Sequence, residues 1–272
     1  MKMKRHIFFI LIATSIMNVG YSQSADDFLN KGMEAGSKKD FIGAVDASNS
    51  AIDINQYSVK AYFFRGLAKG NLQDYYGAIN DYSRVIELDP KYKEAYLSRA
   101  IMRSQINDFE GAITDFTKTI ELDPRNTIAI GNRGIAKIRT SDFKGAIDDF
   151  NHVIKVNPKD VKAFYNRAEC KIDIGDYEGS VADNSKAIEL DPKYAEAFTN
   201  RGIAKMHLKD YTAAIIDFTK AIDLKPEYAL AFANRGLAKI ASGDKENGCL
   251  DLKKAVESGF TKAQNDIDKL CN

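Results

Sequence analysis

The chain has 272 residues, 28% of them charged and 44% hydrophobic, a balance that excludes a disordered polymer and predicts a folded, soluble protein. Its formal net charge of +1 leaves no electrostatic case for nucleic acid or an anionic membrane surface as the partner.

The N-terminus carries Lys2, Lys4 and Arg5 ahead of an uncharged apolar stretch from Ile7 to Met17. That stretch is shorter than the ~20 apolar residues a membrane-spanning helix needs. Gly20 and Ser22 supply small residues before a cut at Gln23, so residues 1–22 read as a secretory signal peptide. Export to the periplasm, the cell surface or the medium is the expectation, with an uncleaved anchor as the alternative. No cysteine follows the apolar run, which argues against lipid attachment.

Beyond it, all five prolines, Pro90, Pro124, Pro158, Pro192 and Pro226, stand 34 residues apart. A strict period means one structural unit copied along the chain, each copy packing on its neighbours. With proline at position 32, seven copies cover 25–58, 59–92, 93–126, 127–160, 161–194, 195–228 and 229–262. Position 16 is Asp in all seven, from Asp40 to Asp244, and an Asp before an apolar-periodic stretch is an N-cap. Each copy therefore predicts two helices, A over positions 1–14 and B over 17–30. Glycine or alanine recurs at position 8 (Gly66, Gly134, Gly202) and small residues at position 20 (Ala78, Ala146, Ala214). Glycine inside a helix is unfavourable by about 1 kcal/mol against alanine, so this recurrence predicts close helix packing. A large residue at position 4, such as Tyr96 or Phe198, fills the space between copies.

Period, Gly/Ala 8, Ala 20 and Pro 32 together resemble the tetratricopeptide repeat family across almost the whole chain after residue 22. The resemblance implies an all-α, right-handed α-solenoid. The chain departs from the family pattern at position 7, usually Leu but here Arg in six copies, and at position 11, usually aromatic but here Lys or Arg in the same six. In an antiparallel hairpin turning near position 15, position 7 lies level with position 23. That pairs Arg65 with Asp81, Arg99 with Asp115, Arg133 with Asp149, Arg167 with Asp183, Arg201 with Asp217 and Arg235 with Asp251. These pairs read as an internal ladder fixing hairpin register, and a basic ligand-binding stripe is the other reading.

The resemblance also places helix A on the concave side. Position 6 there is Asn132, Asn166, Asn200 and Asn234 in four successive copies, and Asn30 in the first. Asparagine offers both donors and an acceptor, so such a column can match the backbone of an extended peptide, as asparagine ladders do in some superhelical members of the family. A consensus packing role is the alternative. Ile135, Ile203 and Leu237 at position 9, with Ile138, Met206 and Ile240 at position 12, flank the column as an apolar strip or as core. Glu169 breaks that strip in repeat five, beside Arg139, Asp173 and His207, and Ser180 and Asn184 replace the small and aromatic residues of the other copies. Position 5 contains no lysine, so the carboxylate clamp of some relatives is not expected.

The terminal copies are atypical, as array ends meeting solvent should be. Residues 263–272 read as a capping helix. Cys249 and Cys271 are placed to staple it with a disulfide, while Cys170 at position 10 reads as an inert core thiol. No nucleophile elbow, phosphate-cradling loop or metal-ligand helix occurs. The chain reads as a non-enzymatic scaffold with no catalytic residue, no metal and no cofactor, binding a protein or peptide segment in the concave groove through Asn132, Asn166, Asn200, Asn234, Ile135, Ile203, Leu237 and Glu169. An assembly subunit of an envelope complex, docking through its convex face or array ends, is the alternative. A small-ligand or catalytic role for repeat five is a further one, which Glu169→Gln would expose.

Overall fold

A computed structural model describes residues 23–271, all helix and connecting turns. The expected signal peptide at residues 1–22 lies outside the described residues. Seven A helices run as α1 (Ala25–Ser37), α3 (Val59–Asn71), α5 (Lys93–Gln105), α7 (Thr127–Arg139), α9 (Val161–Asp173), α11 (Ala195–His207) and α13 (Ala229–Ala241). They alternate with seven B helices, α2 (Phe41–Ile54), α4 (Tyr75–Leu88), α6 (Phe109–Leu122), α8 (Phe143–Val156), α10 (Tyr177–Leu190), α12 (Tyr211–Leu224) and α14 (Lys245–Glu257). A short α15 (Ala263–Leu270) closes the array.

Local chemistry sets these boundaries. Each B helix starts at its position-16 Asp, whose carboxylate accepts from the backbone N–H three residues on, as Asp142 does from Gly145 at 3.0 Å. The A helices stop at position 13 rather than 14, because the chain must reverse within two residues. Position 15 takes a left-handed conformation there: φ is 63° at Ser141, 64° at Lys209 and 82° at Gly175. Only the glycine adopts this without steric penalty.

Each A helix packs on the B helix that follows, and each B helix on the next A helix. A helices also touch the next A helix, to an extent no pair of B helices matches. That asymmetry curves the α-solenoid with the A helices inside. The core is a chain of small clusters, one per joint, in place of a single centre. At its middle sits the position-24 ring. A Cβ added to Gly134 would lie 2.9 Å from Phe150, and one on Gly202 would lie 2.6 Å from Phe218, so in these repeats glycine at position 8 makes room for the ring, whereas repeat three packs Phe116 beside Ala100.

At the C-terminal end, Cys249 on α14 and Cys271 just after α15 are disulfide-bonded, with Cα atoms 5.8 Å apart. The bridge holds Ala263 and Ile267 against Leu252 and Ala255. Cys170 is fully buried, and burial, reinforced by the charges of Glu169 and Asp173, pushes its thiol up to about 12.

Candidate functional site

Between A and B helices runs the ladder of charges. In all six predicted pairs the Arg Nη2 donates to Asp Oδ1 at 2.5 to 2.8 Å, and Nε donates to Oδ2. The guanidinium does two further things. Its Nη1 donates to position 25 of the preceding repeat: Asn49, Ser83, Thr117, Asn151, Ser185 and Thr219 in turn. In five copies it also lies over the position-4 ring, 5.2 Å from the centroid for Arg65 on Tyr62. One side chain thus fixes register inside a repeat and spacing between repeats.

The basic residue at position 11, to which the sequence reading assigned no partner, shares the same carboxylate. Lys69, Arg103, Lys137, Lys171, Lys205 and Lys239 stand 2.7 to 2.9 Å from Asp81, Asp115, Asp149, Asp183, Asp217 and Asp251. Positions 7 and 11 are one helical turn apart and present both cations to one acid. That spacing was visible in the sequence. These arginines are turned into the array, with side chains 15% to 19% exposed.

The asparagine column divides. Asn132 and Asn166 line one cavity of about 260 Å³ between repeats four and five, and neither amide makes a hydrogen bond to the described residues. Ile135, 45% exposed, borders it with Ile128 and Phe150. Asn200 shares a hydrogen bond with the Tyr165 hydroxyl. Asn234 donates to Leu230 O on its own helix at 2.9 Å, and Asn30 is exposed.

The apolar strip divides too. Ile203 and Leu237 are half-buried and pack into the joints, and Ile138, Met206 and Ile240 at position 12 do the same. Those position-12 chains fill space that Gly36, Gly70 and Ser104 leave open in the first three repeats. Cavities of about 290, 220 and 250 Å³ mark these three joints, bordered by Met33, Leu67 and Ile101 at position 9. The open apolar groove is therefore in the N-terminal half. The small residues at position 12 were its signal in the sequence.

Repeat five is different in kind. Glu169 is half-buried on α9, and burial together with the charge of Asp173 holds its carboxyl above the ordinary carboxylate range. Asp173 is exposed, and partial desolvation raises its carboxyl. Arg139 turns away and lies over the Phe109 ring at 5.4 Å, while His207 stacks on Tyr177 at 4.4 Å. Sequence proximity thus places a cation beside the acids in number only, and the structure leaves both carboxylates without a salt bridge to the described residues.

Among the described residues, no helix is long and apolar enough to cross a membrane, and no group of three or more His, Cys, Asp or Glu could hold a metal ion.

Curvature, joints and repeating ladder define an α-solenoid of helix-turn-helix repeats. Profiles described as tetratricopeptide repeat match residues 59–92 and 195–228, and one described as TPR repeat matches 171–209. The chain belongs to the tetratricopeptide repeat family, whose arrays are protein-interaction scaffolds. A search of curated proteins gives no match. Among solved structures, a tetratricopeptide repeat protein from Parabacteroides merdae is 21% identical, with 92% of this chain and 100% of that one covered at a TM-score of 0.67. YrrB is 22% identical, with 69% and 97% covered and a TM-score of 0.62. MamA is 23% identical, with 63% and 94% covered and a TM-score of 0.57. At these identities the likeness is one of fold.

Proposed function

We propose that this protein is an exported, non-enzymatic scaffold that binds an extended segment of a partner protein along its A-helix groove. The observation that carries the reading is the joint between repeats four and five. There the unpaired amides of Asn132 and Asn166 face a cavity with the exposed Ile135 at its edge. Amides supply donors and acceptors for a peptide backbone, and the apolar border suits a side chain. YrrB is described as having an unusual peptide-binding site, and its fold covers most of this chain. Export is supported by the charged and apolar pattern of residues 1–22, and the Cys249–Cys271 bridge suits an oxidising compartment.

The test uses residues 23–272 as bait in an envelope extract, beside a variant with Asn132, Asn166, Asn200 and Asn234 all changed to alanine and matched for helicity. Asn132 and Asn166 carry the expected loss of the partner. Retention by the variant refutes groove binding and favours docking through the convex face, where Ile42 and Tyr76 are 66% and 69% exposed at position 18. Mass spectrometry of the expressed chain checks export: a mature N-terminus at Gln23 is expected, and an intact Met1 overturns cleavage.

A further inference from the structure

Three of the open joints are lined by the position-9 side chain and the position-24 ring: Leu67 with Tyr82, Ile101 with Phe116, Ile135 with Phe150. Repeat five places Glu169 and Asn184 at those two positions. Asn184 is fully buried. Its Nδ2 donates to the Ser180 carbonyl at 3.1 Å and to Ser180 Oγ at 3.3 Å, while its Oδ1 accepts from no group among the described residues. A buried acceptor without a donor is unfavourable by roughly 1–3 kcal/mol and calls for an explanation. Asp173 stands one turn beyond Glu169 on the same face of α9.

The three groups are all acceptors, two of them charged. Every fully buried carboxylate in the ladder is matched by two cations, yet Glu169 and Asp173 have none among the described residues. Two aromatic rings stand near Glu169: Tyr165 and Tyr194, packed on each other at 5.1 Å, both feel its charge. We infer that the joint between repeats five and six is a pocket for a cationic side chain, the ammonium or guanidinium of a lysine or arginine in the groove's peptide partner. Such a group supplies N–H donors to the two carboxylates and, once the joint opens around it, to Asn184 Oδ1, and presents its charge to the Tyr165 ring. Burial, with the charge of Asp173, holds the Glu169 carboxyl high, and a cation entering beside it removes that penalty. The apolar cavity bordered by Ile135 lies one repeat earlier, so the segment presents an apolar side chain there and a basic one here.

This inference rests on reading the A-helix face as a peptide groove, and its test separates the two. The probes are labelled nonapeptide mixtures, random except for a central residue fixed as Lys, Arg, the neutral arginine isostere citrulline, or Glu. They are passed over the immobilised protein. The Arg or Lys mixture is expected to be retained about tenfold over citrulline, the scale of one charge-assisted contact. In Glu169→Gln/Asp173→Asn, and separately in Asn184→Phe, the ratio is expected to fall to near one while citrulline binding stays. Charge-indifferent retention that still requires Asn132 and Asn166 overturns the cation pocket and leaves the groove standing. Retention indifferent to the asparagines overturns the groove reading. A preference for basic mixtures that survives in both pocket variants, or no retention of basic mixtures at all, also overturns the pocket.

Discussion

Repeats four and five share a backbone and a ladder but not a joint. In repeat four Arg133 is held by Asp149 and reaches back to Thr117, with Lys137 on the same acid; in repeat five Arg167, Asp183, Asn151 and Lys171 repeat that arrangement. Between the helices, repeat four has Phe150 against Gly134, and repeat five has Asn184 against Ser180. The positions that set register, 7, 11, 16, 23 and 25, are thus separate from those that line the joint, 9, 13, 20 and 24. The joint chemistry can vary from copy to copy while the superhelix stays in register. Repeat five is where an array of apolar joints accepts a polar one.

The comparison breaks most severely if repeat four is made to resemble repeat five. Phe150→Asn deletes a fully buried ring and leaves an amide beside Gly134, so a loss of about 4 kcal/mol is expected in urea unfolding. A loss below about 1 kcal/mol would mean that the ring is not what fills this joint. Next come the shared acids. Asp149→Ala and Asp183→Ala each strand an arginine and a lysine in partly buried sites, and each is expected to lose about 3 kcal/mol. Equal losses sharpen the claim that the ladder is indifferent to the joint. A much smaller loss for Asp183 would show that repeat five is loosened throughout.

How far the sequence reveals this depends on whether a feature recurs. Helix pairs, caps and the Arg–Asp ladder are written seven times or nearly so, and period and hairpin geometry suffice to place them. Two parts are harder to read. Position 11 looked like a departure from the family without a reason, because its partner is an acid already assigned to position 7. The groove itself was misjudged in extent: Ile203 and Leu237 share position 9 with Ile135, yet neighbouring position-12 side chains bury them more deeply. A single sequence column cannot show what the next column fills. Asn184 stood out as an exception, but only its burial and its unpartnered Oδ1 turn that exception into a site.

The converse exchange is milder. Asn184→Phe removes the unpartnered acceptor and restores the ring, and repeat three shows that a ring fits beside alanine at positions 8 and 20, as Phe116 does beside Ala100 and Ala112. A gain of about 1–2 kcal/mol is expected in the same unfolding experiment. A loss instead would mean that the joint has closed around the amide and has no room for the ring.

The smallest effect is a pH dependence confined to repeat five. Burial, with the charge of Asp173, keeps the Glu169 carboxyl above its ordinary 4.5, so between that value and the raised one the folded chain holds a proton that the unfolded chain has released. The stability contributed by this group is full below about pH 4.5 and is lost as pH rises through the folded value. Urea midpoints measured from pH 4 to 7 should therefore decline more steeply for the native chain than for Glu169→Gln. Ile135→Glu places a carboxyl at the same position of repeat four, and its decline reports whether an apolar joint raises an acid further than a polar one. Identical slopes for the native chain and Glu169→Gln would mean that water already solvates Glu169. The desolvation that makes a cation welcome there would then be gone.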